Sequence, residues 1–95
     1  MIFAKIIYDG TYESRHGEMV EFISSRFSNV EHGFQCDSWI WIHFGEDKVA
    51  VDTFSSDKHW IKSSRAGNHV DCVLKALSER FEISVLNIPE MEPHE

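Results

Sequence analysis

The chain has 95 residues but only two cysteines and two prolines, and it contains no apolar run near the roughly 20 residues that a membrane-spanning helix requires. Two cysteines cannot build the disulfide framework of a small secreted domain. The opening residues Met1 to Lys5 also lack the charged region and long apolar stretch of a secretory signal, so a reduced, cytoplasmic setting is expected. Basic side chains are scarce as well: nine against sixteen acidic ones, a formal charge of -7, which repels phosphate backbones and argues against direct nucleic-acid binding. The same charge favours encounter with a positively charged partner.

Aromatic and aliphatic side chains are abundant, at 13% and, with the remaining hydrophobics, 42% of the chain, enough for one compact core but not for two. Residues 1–88 therefore read as a single α+β domain, and the acidic, proline-containing stretch 89–95 as a disordered tail. Ile2 to Tyr8 reads as a strand stopped by Asp9-Gly10. From about Ser14 to Phe27, Met19, Val20, Phe22, Ile23 and Phe27 recur at helical spacing, with a cap between Thr11 and Ser14. After a loop through Glu31-His32-Gly33 come two strands, Ser38 to Phe44 and Lys48 to Phe54, joined as a hairpin around Gly45-Glu46-Asp47. Lys58 to Ser64 reads as a connection that tucks in Trp60 and Ile61. Arg65 to Phe81 carries the stripe Val70, Val73, Leu74, Leu77 and Phe81, with Asn68 and Asp71 as a capping pair. Ile83 to Ile88 is a last strand. The order β-α-β-β-α-β predicts a ferredoxin-like sandwich, a four-stranded antiparallel sheet with both helices on one face.

Within that hairpin the segment Ser38-Trp39-Ile40-Trp41-Ile42-His43-Phe44 is apolar on both alternating faces. Either two-residue turn leaves the same residues together: Ile40, Ile42, Phe44, Val49, Val51 and Thr53 on one side, and Trp39, Trp41, His43, Lys48, Ala50, Asp52 and Phe54 on the other. The first set faces a core. The second needs another partner, and the ferredoxin-like order places its tryptophans at a sheet edge whose unpaired backbone groups recruit other chains.

Other constellations carry chemistry on paper. Lys5, His43 and Asp52 hold the groups of a proton-transfer pocket, yet they also serve as polar interruptions that keep a sheet face from sticking at random. His32-x-x-x-Cys36 with His69-x-x-Cys72 offers two nitrogens and two sulfurs to a zinc ion, but neither pair has Cys-x-x-Cys geometry, and Cys72 adjoins the apolar stripe, where a free cysteine acts as a small hydrophobe. Ser55, Ser56, Asp57 and His59 are the residue types of a nucleophilic triad, but neighbours this close rarely point at one another; turn formation explains them, with His16, His59 and His94 exposed. No motif requires a cofactor or a metal.

The expectation is thus a small acidic protein-binding module, an inhibitor or toxin-immunity protein that occludes a basic, nuclease-like partner through Trp39, Trp41, His43, Asp52 and Phe54, with Glu46 and Asp47 in an acidic rim. The alternative is a homodimeric α+β enzyme that encloses a small-molecule cavity between two sheet faces lined by Trp39, Trp41, His43 and Asp52.

Overall fold

A computed structural model describes residues 1–54 and 56–92. The elements are β1 (Ile2–Ile7), α1 (Tyr12–Arg26), β2 (Val30–Gln35), β3 (Asp37–Phe44), β4 (Asp47–Asp52), β5 (Trp60–Ser63), α2 (Asn68–Ser78) and β6 (Glu82–Glu90). All six strands join one antiparallel sheet in the order β2-β3-β4-β5-β1-β6. The α+β class is as expected, but the four-stranded arrangement is not what forms. Two further strands come from segments read as loops, and β5 separates β1 from β4, which the ferredoxin-like order makes neighbours.

Both corrections have local causes. Val30 to Gln35 offers few apolar side chains, yet β3 would otherwise present a bare edge, and pairing Val30↔Ile42 through Gln35↔Asp37 satisfies those backbone groups. Trp39 and Trp41 are therefore not on an edge strand: β3 is flanked on both sides, and the edges are β2 and β6. The turn into β3 is made at Cys36 in the left-handed region (φ 70°), where Tyr12 Oη donates to its carbonyl at 2.8 Å. β5 has only four residues, too short for a periodic signal, but Ile61 is fully buried between Val51 and Ala4.

The core lies between the sheet and the helices. Met19 and Ile23 from α1 and Val70, Val73 and Leu77 from α2 pack on Ala4, Ile6, Ile40, Ile42, Val49, Val51 and Ile61. Thr11 caps α1 by accepting from the Ser14 amide at 3.2 Å. The expected Asn68–Asp71 capping pair is not formed; α2 starts after Gly67 without a side-chain cap. β6 continues to Glu90, so Pro89 and Glu90 belong to the sheet rather than to a disordered tail; residues 93–95 lie outside the described residues. No helix among the described residues is long and apolar enough to cross a membrane.

Candidate functional site

The hairpin turn is Gly45-Glu46, with Phe44 opposite Asp47, which sets the alternation of the whole sheet. One face takes the helices. On the other, cross-strand pairing builds two rows: Gly33, Trp39, Asp52, Trp60, Lys5 and Ser84 in one, and Glu31, Trp41, Ala50, Lys62, Ile2 and Glu90 in the next. His43 and Lys48 follow as a shorter third. This helix-free face is the candidate site.

Its centre is aromatic. The Trp39 and Trp41 rings lie 4.5 Å apart at 43°, and each indole is half-buried. Lys48 Nζ sits 4.0 Å from the Trp41 ring centre and Lys5 Nζ 5.0 Å from that of Trp60, so lysine stems cover part of the rings and cation–π attraction holds them there. Trp39 lies flat across Gly33: a Cβ on that glycine would come within 2.5 Å of the indole. Gly33→Ala is therefore expected to cost about 1–3 kcal/mol by overpacking and to weaken the coupled circular-dichroism signal of the adjoining indoles. A thermal melt and a spectrum on the same sample check both effects.

Phe54 stands 52% exposed two residues beyond β4. Together with Met1, Trp41, Glu46, Lys48, Ala50, Asp52, Lys62 and Glu92 it lines a groove of about 500 Å³. Asp52 lies beneath this surface, 3% exposed, with its Oδ1 accepting from Lys62 Nζ at 2.6 Å; Lys62 is 5% exposed and also meets Glu92. Burial holds the Asp52 carboxyl above its usual range against the pull of Lys62. Asp52 thus organises the face from below instead of offering a contact. His43 Nε2 is 2.8 Å from Glu31 Oε1, an ion-pair distance without hydrogen-bond alignment.

Asp47, expected in the same rim, is on the helix side. Its parity with Phe44 puts it beside α2, where Arg65 grips it through Nε and Nη2 at 2.8 and 3.1 Å and holds its carboxyl below the usual range. Charge alone suggested Asp47; alternation would have excluded it. The carboxylates that do border the face are Glu31, Glu46, Glu82, Glu90 and Glu92.

A second polar assembly lies on the helix side and was not legible in the sequence. His59, read there as exposed, is fully buried. Its Nδ1 lies 2.9 Å from Tyr8 Oη and its Nε2 2.7 Å from the fully buried Ser38 Oγ, which in turn lies 2.5 Å from His16 Nδ1. The His59 amide donates to Tyr8 Oη at 3.3 Å. Two assignments of opposite direction satisfy each link: Tyr8 O–H to His59 Nδ1, His59 Nε2–H to Ser38 Oγ and Ser38 O–H to His16 Nδ1, or the same chain reversed from His16 Nδ1–H to Tyr8 Oη, and each ring carries one proton in either. Both imidazoles are then neutral, in line with burial lowering the pKa of His59 to about 4 and that of His16 below its ordinary value. Because Ser38 and His59 are sealed, this chain fastens β1, α1, β3 and the segment before β5 to one another and exposes no nucleophile. Of the triad types read in the loop, Ser55 is outside the described residues, as is His94. Among the described residues no three His, Cys, Asp or Glu side chains gather into a metal site, and Cys36 and Cys72 are both exposed.

Comparison with family models, curated proteins and solved structures gives no match for this chain.

Proposed function

We propose that the protein is a binding module whose helix-free sheet face docks on a basic protein partner and occludes it, in the manner of an inhibitor or toxin-immunity protein of the cytoplasm. The observation that carries this reading is the half-exposed, tilted Trp39–Trp41 pair, continued by Phe54 and bordered by five carboxylates. Tryptophan supplies large contact area with few rotors to immobilise and dominates binding energy where it is found at interfaces. The surrounding carboxylates raise the association rate with a positive surface and align the partner before the aromatic contact closes. Contact runs across the face of the sheet; β3, having neighbours on both sides, adds no strand to another chain.

The double variant Trp39→Ala/Trp41→Ala is expected to lose at least about a hundredfold in partner affinity while remaining folded, since truncating two interface anchors removes about 3 kcal/mol or more of binding. The measurement is retention of a net-basic protein from host extract by wild type, by the double variant and by the helix-face control Lys75→Ala. Loss only in the double variant supports the reading; equal retention by all three overturns it. Light scattering on the isolated protein should give a monomer, whereas a stable dimer would favour the cavity-enclosing homodimer.

A further inference from the structure

His16 is the outer end of the hydrogen-bonded chain that runs inward through Ser38 to His59 and Tyr8, and a second imidazole stands beside it. The alternation of β2 turns His32 and Phe34 to the helix side of the sheet, opposite Ile40 and Ser38, where both rings meet His16 of α1. The His16 and His32 ring centres lie 6.1 Å apart at 60°, and Phe34, stacked on Tyr12, packs edge-on against His16 at 5.3 Å. An imidazole centre stands about 3.2 Å from a zinc ion it ligates, so two rings on one ion lie about 5–6 Å apart. The pair is therefore close to ligating geometry, and rotation of the exposed His32 side chain on the edge strand covers the difference.

The inner partner of His16 decides which of its nitrogens is offered. Nδ1 is committed to Ser38 Oγ at 2.5 Å, so Nε2 is the nitrogen left for an outside ligand. One direction of the chain puts a proton on that Nε2 and closes it to a metal. The reverse direction makes Nδ1–H the donor to Ser38 and leaves Nε2 a bare lone pair, oriented by the hydrogen bond of its other nitrogen as metal-bound histidines are. No third His, Cys, Asp or Glu among the described residues joins the pair, so solvent fills the remaining positions. Two neutral nitrogen donors suit a divalent transition ion and not magnesium or calcium, which take oxygen.

We propose that His16 Nε2 and His32 bind a divalent transition ion of the zinc class, and that the ion sets the direction of the buried chain. With the site filled, His16 Nδ1–H donates to Ser38, Ser38 O–H to His59 Nε2, and His59 Nδ1–H to Tyr8 Oη. Tyr8 then accepts from both the ring and the amide of His59 and turns its own proton toward solvent from its half-buried position. Every link is satisfied in both directions, so the reversal moves protons between existing partners and leaves the packing alone. A surface ligand thereby fixes which nitrogen of a fully buried imidazole is protonated. The site lies on the helix side and does not depend on the opposite face docking a protein.

The test is titration of the full chain with zinc alone at neutral pH, followed by long-range proton–nitrogen NMR spectra of the imidazoles. Wild type is expected to take up a single ion with saturable shifts at His16 and His32, and in the saturated protein His59 carries its proton on Nδ1. His32→Ala, a change at an exposed side chain, should weaken uptake at least about tenfold, whereas His43→Ala, which removes the histidine beside Glu31 on the other sheet face, should leave it within about twofold. Equal affinity in wild type and His32→Ala, loss in His43→Ala instead, no saturable shift at either ring at millimolar zinc, or a filled site with His59 still protonated on Nε2 would each overturn the proposal.

Discussion

Lys62→Met is expected to remove about 3–5 kcal/mol of stability, the characteristic cost of deleting one partner of a buried ion pair. The methylene stem is retained, so the loss is electrostatic rather than a matter of packing. Asp52 would remain 3% exposed beneath the sheet face with its neutralising cation gone, keeping the Phe54 amide, which donates to Oδ1 at 3.3 Å. Against a total of about 5–15 kcal/mol for a domain this is a large share, and urea unfolding at neutral pH measures it. Replacing both partners, as Asp52→Asn/Lys62→Met, should recover much of the loss, because an uncharged pair of similar shape has no ion to desolvate. A further sign separates this account from simple loss of packing. In Lys62→Met the Asp52 carboxyl has a folded pKa raised further above its unfolded value, so the variant gains relative stability as pH falls and loses it as pH rises. A variant whose deficit is the same at pH 7 and pH 5 would contradict this origin.

The second large effect is loss of stability in mild acid. Burial lowers the His59 pKa to about 4, whereas in the unfolded chain it titrates near its ordinary 6.5. The folded state thus excludes a proton that the unfolded state accepts. Its contribution is complete above pH 6.5, declines as pH falls below that value, and is exhausted near pH 4. At about 1.4 kcal/mol per unit the total is about 3 kcal/mol, of which about 2 should be gone by pH 5. His16, whose pKa is lowered by its own burial and then by the nearby His32, acts in the same direction. Asp52 acts in the opposite direction, since its raised folded pKa contributes stability at low pH that is lost as pH rises through that value. Urea unfolding at pH 7 and pH 5, with the His59 ring followed by NMR, checks the claim. A flat stability, or a His59 that titrates near 6.5 in the folded protein, would refute it.

The sequence shows the faces of the central hairpin because Ile40 and Ile42 alternate with Trp39 and Trp41, and because a two-residue turn at Gly45-Glu46 keeps that alternation in step on β4. The stripe of α2 is legible for the same reason: Val70, Val73 and Leu77 recur at the helical period. What escapes is written across strands instead of along them. Gly33 reads as a loop residue until Trp39 is seen lying on it, and β2 then becomes a strand that exists because β3 needs a neighbour. Nothing local marks Lys62 for burial, which lysine normally avoids, and only its register opposite Ala50, next to Asp52, explains it. His59 follows a run of turn residues, and its partners Tyr8, Ser38 and His16 come from three distant segments, so no local pattern announces the chain they form.

The most direct test of the docking face is photocrosslinking in the producing cell, with p-benzoylphenylalanine in place of Phe54 on the open face or in place of Lys75 on the exposed side of α2. The account predicts a heterologous crosslink to a net-basic protein from position 54, abolished when Trp39 and Trp41 are alanine, and none from position 75. A crosslink from position 75 alone, or from position 54 only to a second copy of this chain, would contradict it.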